Sequence, residues 1–202
     1  MCSCAHFASD RDRLSKDIKE QFCWSGEGLG RIEIGQQKGP FSFVMSMSDK
    51  ELWTFEMSAP LFGEKEVQFD LKQEFLTLKE NAFLIEILKG QHFGTPELQF
   101  NLAFAFKQIL RKMRNPRCGA NFWNCVPEGN KIIIDDQGNL ANTSQKVKTQ
   151  IELLGRGEKY FDRMIFTLSE EAEGQEDTKF KKIKLIMKIQ SCDIVRNQKK
   201  FN

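Results

Sequence analysis

From Phe41 onward, large apolar and small residues alternate, with Phe41, Phe43, Met45 and Met47 on one side and Ser42, Val44, Ser46 and Ser48 on the other. A period of two is that of a half-buried β-strand. Trp53, Phe55 and Met57 continue the pattern after a turn at Ser48-Asp49-Lys50, and Val67, Phe69 and Leu71 repeat it after Ala59-Pro60-Leu61-Phe62-Gly63. Together with Ile32 and Ile34, and with Phe83, Ile85 and Ile87, they predict an antiparallel meander of five or six strands. The aromatic stripe reads as core, with a ligand cavity as the alternative.

Leu14, Ile18, Phe22 and Cys23 recur at near-helical spacing between charges and predict a short amphipathic helix over 12–24. Ser25-Gly-Glu-Gly-Leu-Gly30 reads as the turn that stops it; a phosphate-cradling loop needs a strand before and a helix after, and here the order is reversed. Thr95-Pro96-Glu97 combines an N-cap oxygen, a proline at the first helical position and an acid in the first turn. The helix it opens runs to about Met113, with Leu98, Leu102, Phe106, Ile109 and Met113 on one face. Phe100, Ala103, Phe104 and Leu110 widen that face, so the helix is expected to be clamped between two layers.

Strand patterning resumes at 122–126, 132–134, 147–153, 163–168 and 180–190, the last with Ile183, Leu185, Met187 and Ile189 on one side. Glu170, Glu171, Glu173, Glu176 and Asp177 lie between the final two strands without calcium-loop spacing and read as a solvated hairpin tip. The expected fold is β-rich α+β, with two antiparallel β modules joined by one apolar helix. The expected division is an N-terminal tail and helix (1–29), a β-meander (30–94), a connecting helix and basic linker (95–117) and a second β module (118–202).

Composition narrows the function. The chain has 202 residues, 40% hydrophobic and 29% charged, enough to bury a core, which excludes a disordered or fibrous chain. A net charge of +2 removes the strong basic excess of a nucleic-acid coat protein, so no DNA partner is expected and RNA is a remote one. No apolar run reaches membrane-span length, and Asp10 to Arg13 are charged where a signal peptide would be apolar, so a cytoplasmic protein is expected. The six cysteines are irregularly spaced and are expected to be reduced thiols.

Cys2, Cys4 and His6, with Cys23 as a fourth ligand, would suit zinc, but without a C-x-x-C pair they read as a Cys-rich tail; neither metal nor cofactor is predicted. Cys118 and Cys125 could be a redox pair, although Phe122 and Trp123 between them suggest a buried strand with inert thiols. The motifs of serine hydrolases, zinc proteases and nucleotide-binding loops are absent. An enzyme survives only as a remote cysteine-dependent one, with His92 as base for Cys118 or Cys125.

The most informative charge feature is the stretch between Glu97 and Glu128, which holds no carboxylate while Lys107, Arg111, Lys112, Arg114 and Arg117 accumulate. Dipole complementation at a helix C-terminus accounts for Lys107 to Lys112. Asn115-Pro116 should end the helix before Arg117, leaving arginines on a connector where a guanidinium can grip phosphate. Asn142 and Ser144 follow in a polar turn, where they can cap the turn or hydrogen-bond a ligand.

An arginine-rich linker, two strands with an N-x-S turn and a long hairpin, over about Arg111 to Val195, resemble the PilZ family. The resemblance implies a six-stranded barrel and a bacterial signalling regulator that binds cyclic di-GMP through Arg111, Arg114, Arg117, Asn142 and Ser144. The preceding meander resembles the N-terminal module of flagellar-brake members. Two departures stand: the arginines are spaced R-x-x-R-x-x-R instead of R-x-x-x-R, and Val147 occupies the family's glycine position, which a β-branched residue fills poorly at positive φ. The expected function is therefore a non-enzymatic binding or regulatory protein, either a cyclic di-GMP receptor or a degenerate member without nucleotide. The alternative is a β-rich adaptor acting only through protein contacts, by edge strands or by the Phe-rich helix.

Overall fold

The computed structural model describes residues 4–35, 37–60, 63–82, 96–119, 123–136, 146–156, 158–171 and 182–193. Helix α1 (Cys4–Gln21) opens the chain and buries Leu14 and Ile18, with Phe22 just beyond its end. Strands β1 (Gly26–Ile34), β2 (Gln37–Met47), β3 (Leu52–Ala59) and β4 (Gly63–Asp70) follow. After a helical turn over 78–82 comes helix α2 (Pro96–Arg114). The chain ends in β5 (Trp123–Glu128), β6 (Lys131–Asp136), β7 (Lys146–Leu154), β8 (Arg163–Glu171) and β9 (Lys182–Cys192).

All nine strands belong to one antiparallel sheet of order β4-β3-β2-β1-β9-β8-β7-β6-β5. The two expected modules are thus corrected to a single sheet, because β1 pairs with β2 on one side and with β9 on the other, from Gly26↔Cys192 to Ile34↔Ile183. A boundary at residue 29 or 30 falls inside β1. The sheet is open, with β4 and β5 at its edges, so the expected small barrel over the second half is not what the described strands form. Phe83, Ile85 and Ile87 lie outside the described residues.

The glycine-rich run is the clearest departure from the local reading. Gly26, Gly28 and Gly30 do not stop a helix; they lie in β1, where Gly28 is directly opposite Phe43 and Gly30 opposite Phe41. A Cβ on Gly28 would overlap the Lys188 carbonyl and press on the Phe43 ring, and one on Gly30 would overlap the Phe41 ring. Aromatic rings laid over cross-strand glycines replace the missing side chains, which is why a residue poor in strand propensity sits at the sheet's centre.

The sheet curls around α2. Phe106 of α2 meets Phe69 of β4 at 5.8 Å and Phe166 of β8 at 5.6 Å between ring centroids. Those strands are five places apart, roughly 24 Å in a flat sheet, so only strong curvature lets one ring touch both. Ala103, Ala105, Phe106, Ile109, Leu110 and Met113 are buried in the hollow, so the helix expected to be clamped between two β modules packs into one curved sheet instead. No helix among the described residues is long and apolar enough to cross a membrane.

The connector from α1 to β1 runs through the core, with Phe22, Cys23, Trp24 and Ser25 all buried. Its polar groups are paired: the Trp53 indole donates to the Trp24 carbonyl at 3.2 Å, Met47 N–H to Ser25 Oγ at 3.0 Å and Asp193 N–H to the Ser25 carbonyl at 2.8 Å. The expectation of reduced thiols is corrected for four of the cysteines, which form the disulfides Cys23–Cys192 and Cys118–Cys125. Their sequence positions are irregular, but β1–β9 pairing brings Cys192 beside Gly26, within reach of Cys23.

Candidate functional site

On β1 to β4 the residues that do not face α2 form the outer face of the sheet, and register decides which of them meet. One row across the strands is Glu27, Val44, Glu56 and Glu66; the next is Leu29, Ser42, Ser58 and Glu64. Short serines between long glutamates leave a trough of about 690 Å³, lined by all eight of these residues, with Lys65 of β4 as the one cation among the described residues of its wall and Gln190 of β9 at one side. Leu29 and Val44 are 52% and 47% exposed, aliphatic side chains flanked two residues away on their strands by Glu27 and Arg31 and by Ser42 and Ser46. Glu27, Glu56, Glu64 and Glu66 form no ion pair with another described residue.

Glu56 and Glu66 occupy the same rung of the β3–β4 ladder. Their rung is of the non-hydrogen-bonded kind. Leu71 N–H donates to the Glu51 carbonyl, on the β3 side, whereas Asp70 N–H donates away from β3 to Glu80 Oε1 at 2.9 Å. Even-numbered residues of β4 therefore turn their backbone groups outward, and at such rungs opposing Cα atoms approach to about 4.5 Å with side chains close together. Like charges directly opposite one another destabilise a sheet.

Of the residues expected to hold a nucleotide, the three arginines are described. Arg111 Nε donates to the Leu71 carbonyl at 3.3 Å and its Nη1 to Gln108 Oε1 at 2.9 Å. Arg114 forms an ion pair with Glu51, at the start of β3. Arg117 is exposed and its carbonyl accepts from Trp123 N–H at 3.2 Å. Arg111 and Arg114 thus tie the end of α2 to the β3–β4 side of the fold, while Asn142 and Ser144 lie outside the described residues. Arg111 lies in the helix as expected, Arg114 is its last residue, and Arg117 lies beyond it.

The remaining candidate chemistry is absorbed by structure. Lys107 and Glu80, both fully buried, pair at 2.9 Å; the ammonium also donates to the Phe75 carbonyl at 2.6 Å. Glu80 closes a capping box, accepting from Thr77 N–H at 2.6 Å while its own N–H donates to Thr77 Oγ1 at 3.2 Å. Cys23, the fourth zinc ligand considered, is oxidised, as are the two thiols His92 was to serve; Cys2 and His92 themselves lie outside the described residues. Among the described residues no three His, Cys, Asp or Glu side chains converge as a metal site. Lys131 is raised above its ordinary value by a hydrogen bond from its ammonium to Glu128, across a hairpin turn at Gly129-Asn130.

The acidic trough was not foreseen from sequence. Its one local signal is Leu29 and Val44 at strand positions where the neighbours two residues away are polar. Comparison with protein-family models, with curated proteins and with solved structures finds no match.

Proposed function

We propose that the protein is a non-enzymatic binding protein that works through polypeptide contacts, with the outer face of β1–β4 as its docking face. The observation that carries this reading is the Glu56–Glu66 rung beside exposed Leu29 and Val44. Both features are unfavourable in the free protein and become favourable once a partner covers the aliphatic floor and neutralises the rim. A trough of this volume lies in the range of specific binding sites. The cyclic di-GMP reading asks more: Arg111 must release Leu71 and Gln108, and Arg114 must release Glu51, before either can grip phosphate.

The test is an amide chemical-shift titration of the isotope-labelled protein with three probes: acetyl-Lys-Leu-Lys-Leu-Lys-amide, its Glu counterpart and cyclic di-GMP. Saturable shifts at Leu29, Val44 and Glu56 with the Lys peptide alone are expected. Shifts confined to 111–117 with cyclic di-GMP, and none with the Lys peptide, would overturn the docking face and restore the nucleotide reading.

A further inference from the structure

The trough ends at β4, an edge strand of the sheet, and that edge carries more than charge. Asp70 N–H points away from β3 and is taken by the Glu80 carboxylate, while Leu71 N–H points the other way to the Glu51 carbonyl. Since hydrogen-bonding direction alternates along a strand, the N–H and C=O groups of Glu64, Glu66 and Gln68 share the outward direction of Asp70. They are paired with no described strand. Glu80 covers the last outward amide of β4, and no other described residue covers the preceding ones. The side chains of Glu64 and Glu66 stand on the trough side of these same residues, above the open backbone groups.

We propose that β4 is a strand-addition site for an extended polypeptide with basic residues at alternate positions. This rests on the docking-face reading and specifies its geometry. An added strand would hydrogen-bond through its backbone to Glu64, Glu66 and Gln68 and place every second side chain on the trough side, level with Glu64 and Glu66. Lysine or arginine at those positions meets Glu64 and Glu66 directly and draws on Glu56, one strand further in on the Glu66 rung. Charge also excludes the commonest competitor. Antiparallel pairing of β4 with β4 of a second copy would set Glu64 and Glu66 of one chain against the same glutamates of the other, so the acidic edge blocks self-association and admits a basic strand.

The probe is fluorescein-labelled Thr-Lys-Val-Lys-Val-Lys-Thr-amide, followed by anisotropy at low and high salt, with amide hydrogen exchange of the full-length protein with and without peptide. Binding is expected to weaken at least tenfold in the double variant E64Q/E66Q and to fall with salt. The amides of Glu64, Glu66 and Gln68 should become protected. Methylating one alternate set of peptide nitrogens should abolish binding, and methylating the other should leave it within threefold, since only one set faces β4. Saturable binding with no protection at those amides, or equal sensitivity to both methylated sets, would overturn strand addition while leaving the docking face standing. Absence of binding at millimolar peptide would overturn both. Concentration-dependent dimerisation through β4 would show that a second copy is the occupant and refute the basic-strand assignment. Circular dichroism of E64Q/E66Q, expected to match the parent because both side chains are exposed, separates lost binding from lost fold.

Discussion

Replacing Lys107 by Met should cost about 3 kcal/mol of folding stability, and replacing Glu80 by Leu somewhat more, about 4 to 5 kcal/mol, the range found when one partner of a buried ion pair is removed. The order follows from what each change leaves behind. Without the ammonium, Glu80 still accepts from Asp70 N–H at 2.9 Å and Thr77 N–H at 2.6 Å, so its charge keeps two donors. Without the carboxylate, Lys107 keeps only the Phe75 carbonyl, and two backbone N–H groups lose their acceptor at roughly 1–3 kcal/mol each where water cannot reach them. Both side chains are fully buried, so solvent does not discount these figures. Against a total of about 5–15 kcal/mol for a typical domain, either loss is large. The double variant K107M/E80L should cost at least 1 kcal/mol less than the two single costs combined, because it leaves no lone buried charge. Urea denaturation of all four proteins, with midpoints and slopes fitted together, measures this. A cost below about 1 kcal/mol for K107M, or strict additivity in the cycle, would refute the claim that this pair is a desolvated latch holding residues 70–80 onto α2.

Further outcomes follow from the same geometry. Cys23–Cys192 spans 169 residues and Cys118–Cys125 spans 7; in the chain-entropy account these correspond to about 5 and 2.5 kcal/mol, so C23S/C192S should lower the melting temperature more than C118S/C125S. Both G28A and G30A should destabilise by about 1–3 kcal/mol through overpacking. F41L should recover part of the loss in G30A, because it removes the Phe41 ring clash but leaves the Ile186 carbonyl at 2.7 Å, whereas F43L should recover little in G28A, whose nearest clash is the Lys188 carbonyl. Lys131 should titrate above the ordinary lysine value by NMR and return toward it in E128Q. Because its folded value is raised, the contribution is complete below the unfolded lysine value, about 10.4, and is lost only as pH rises through the folded value, leaving neutral-pH stability unaffected. Calorimetry with cyclic di-GMP at low and high salt should show no saturable heat, and salt-sensitive binding abolished in R111A/R114A would contradict that expectation.

Periodicity alone determined most of the elements. The alternation in β2, β3 and β4, the five later strands and the run from Pro96 were legible because side-chain direction along a strand or helix is a local property. The core could be named for the same reason: Phe41, Phe43, Met45, Trp53, Phe55 and Phe69 are buried as their positions require. Long-range pairing was not legible. That β1 joins β9 and fuses the halves into one sheet depends on contacts 149 to 166 residues apart, and no local pattern encodes them. Glycines in β1 contradict strand propensity until Phe41 and Phe43 are set opposite them. Arg114 looked available on a linker, yet α2 continues through it and it pairs with Glu51. Cys23 meets Cys192 and Glu56 opposes Glu66 only once register is set. Residue pattern decides which face of an element is apolar, whereas only the closed network of strand pairings decides which polar residues become neighbours, and at this protein's candidate site those neighbours are what carry the chemistry.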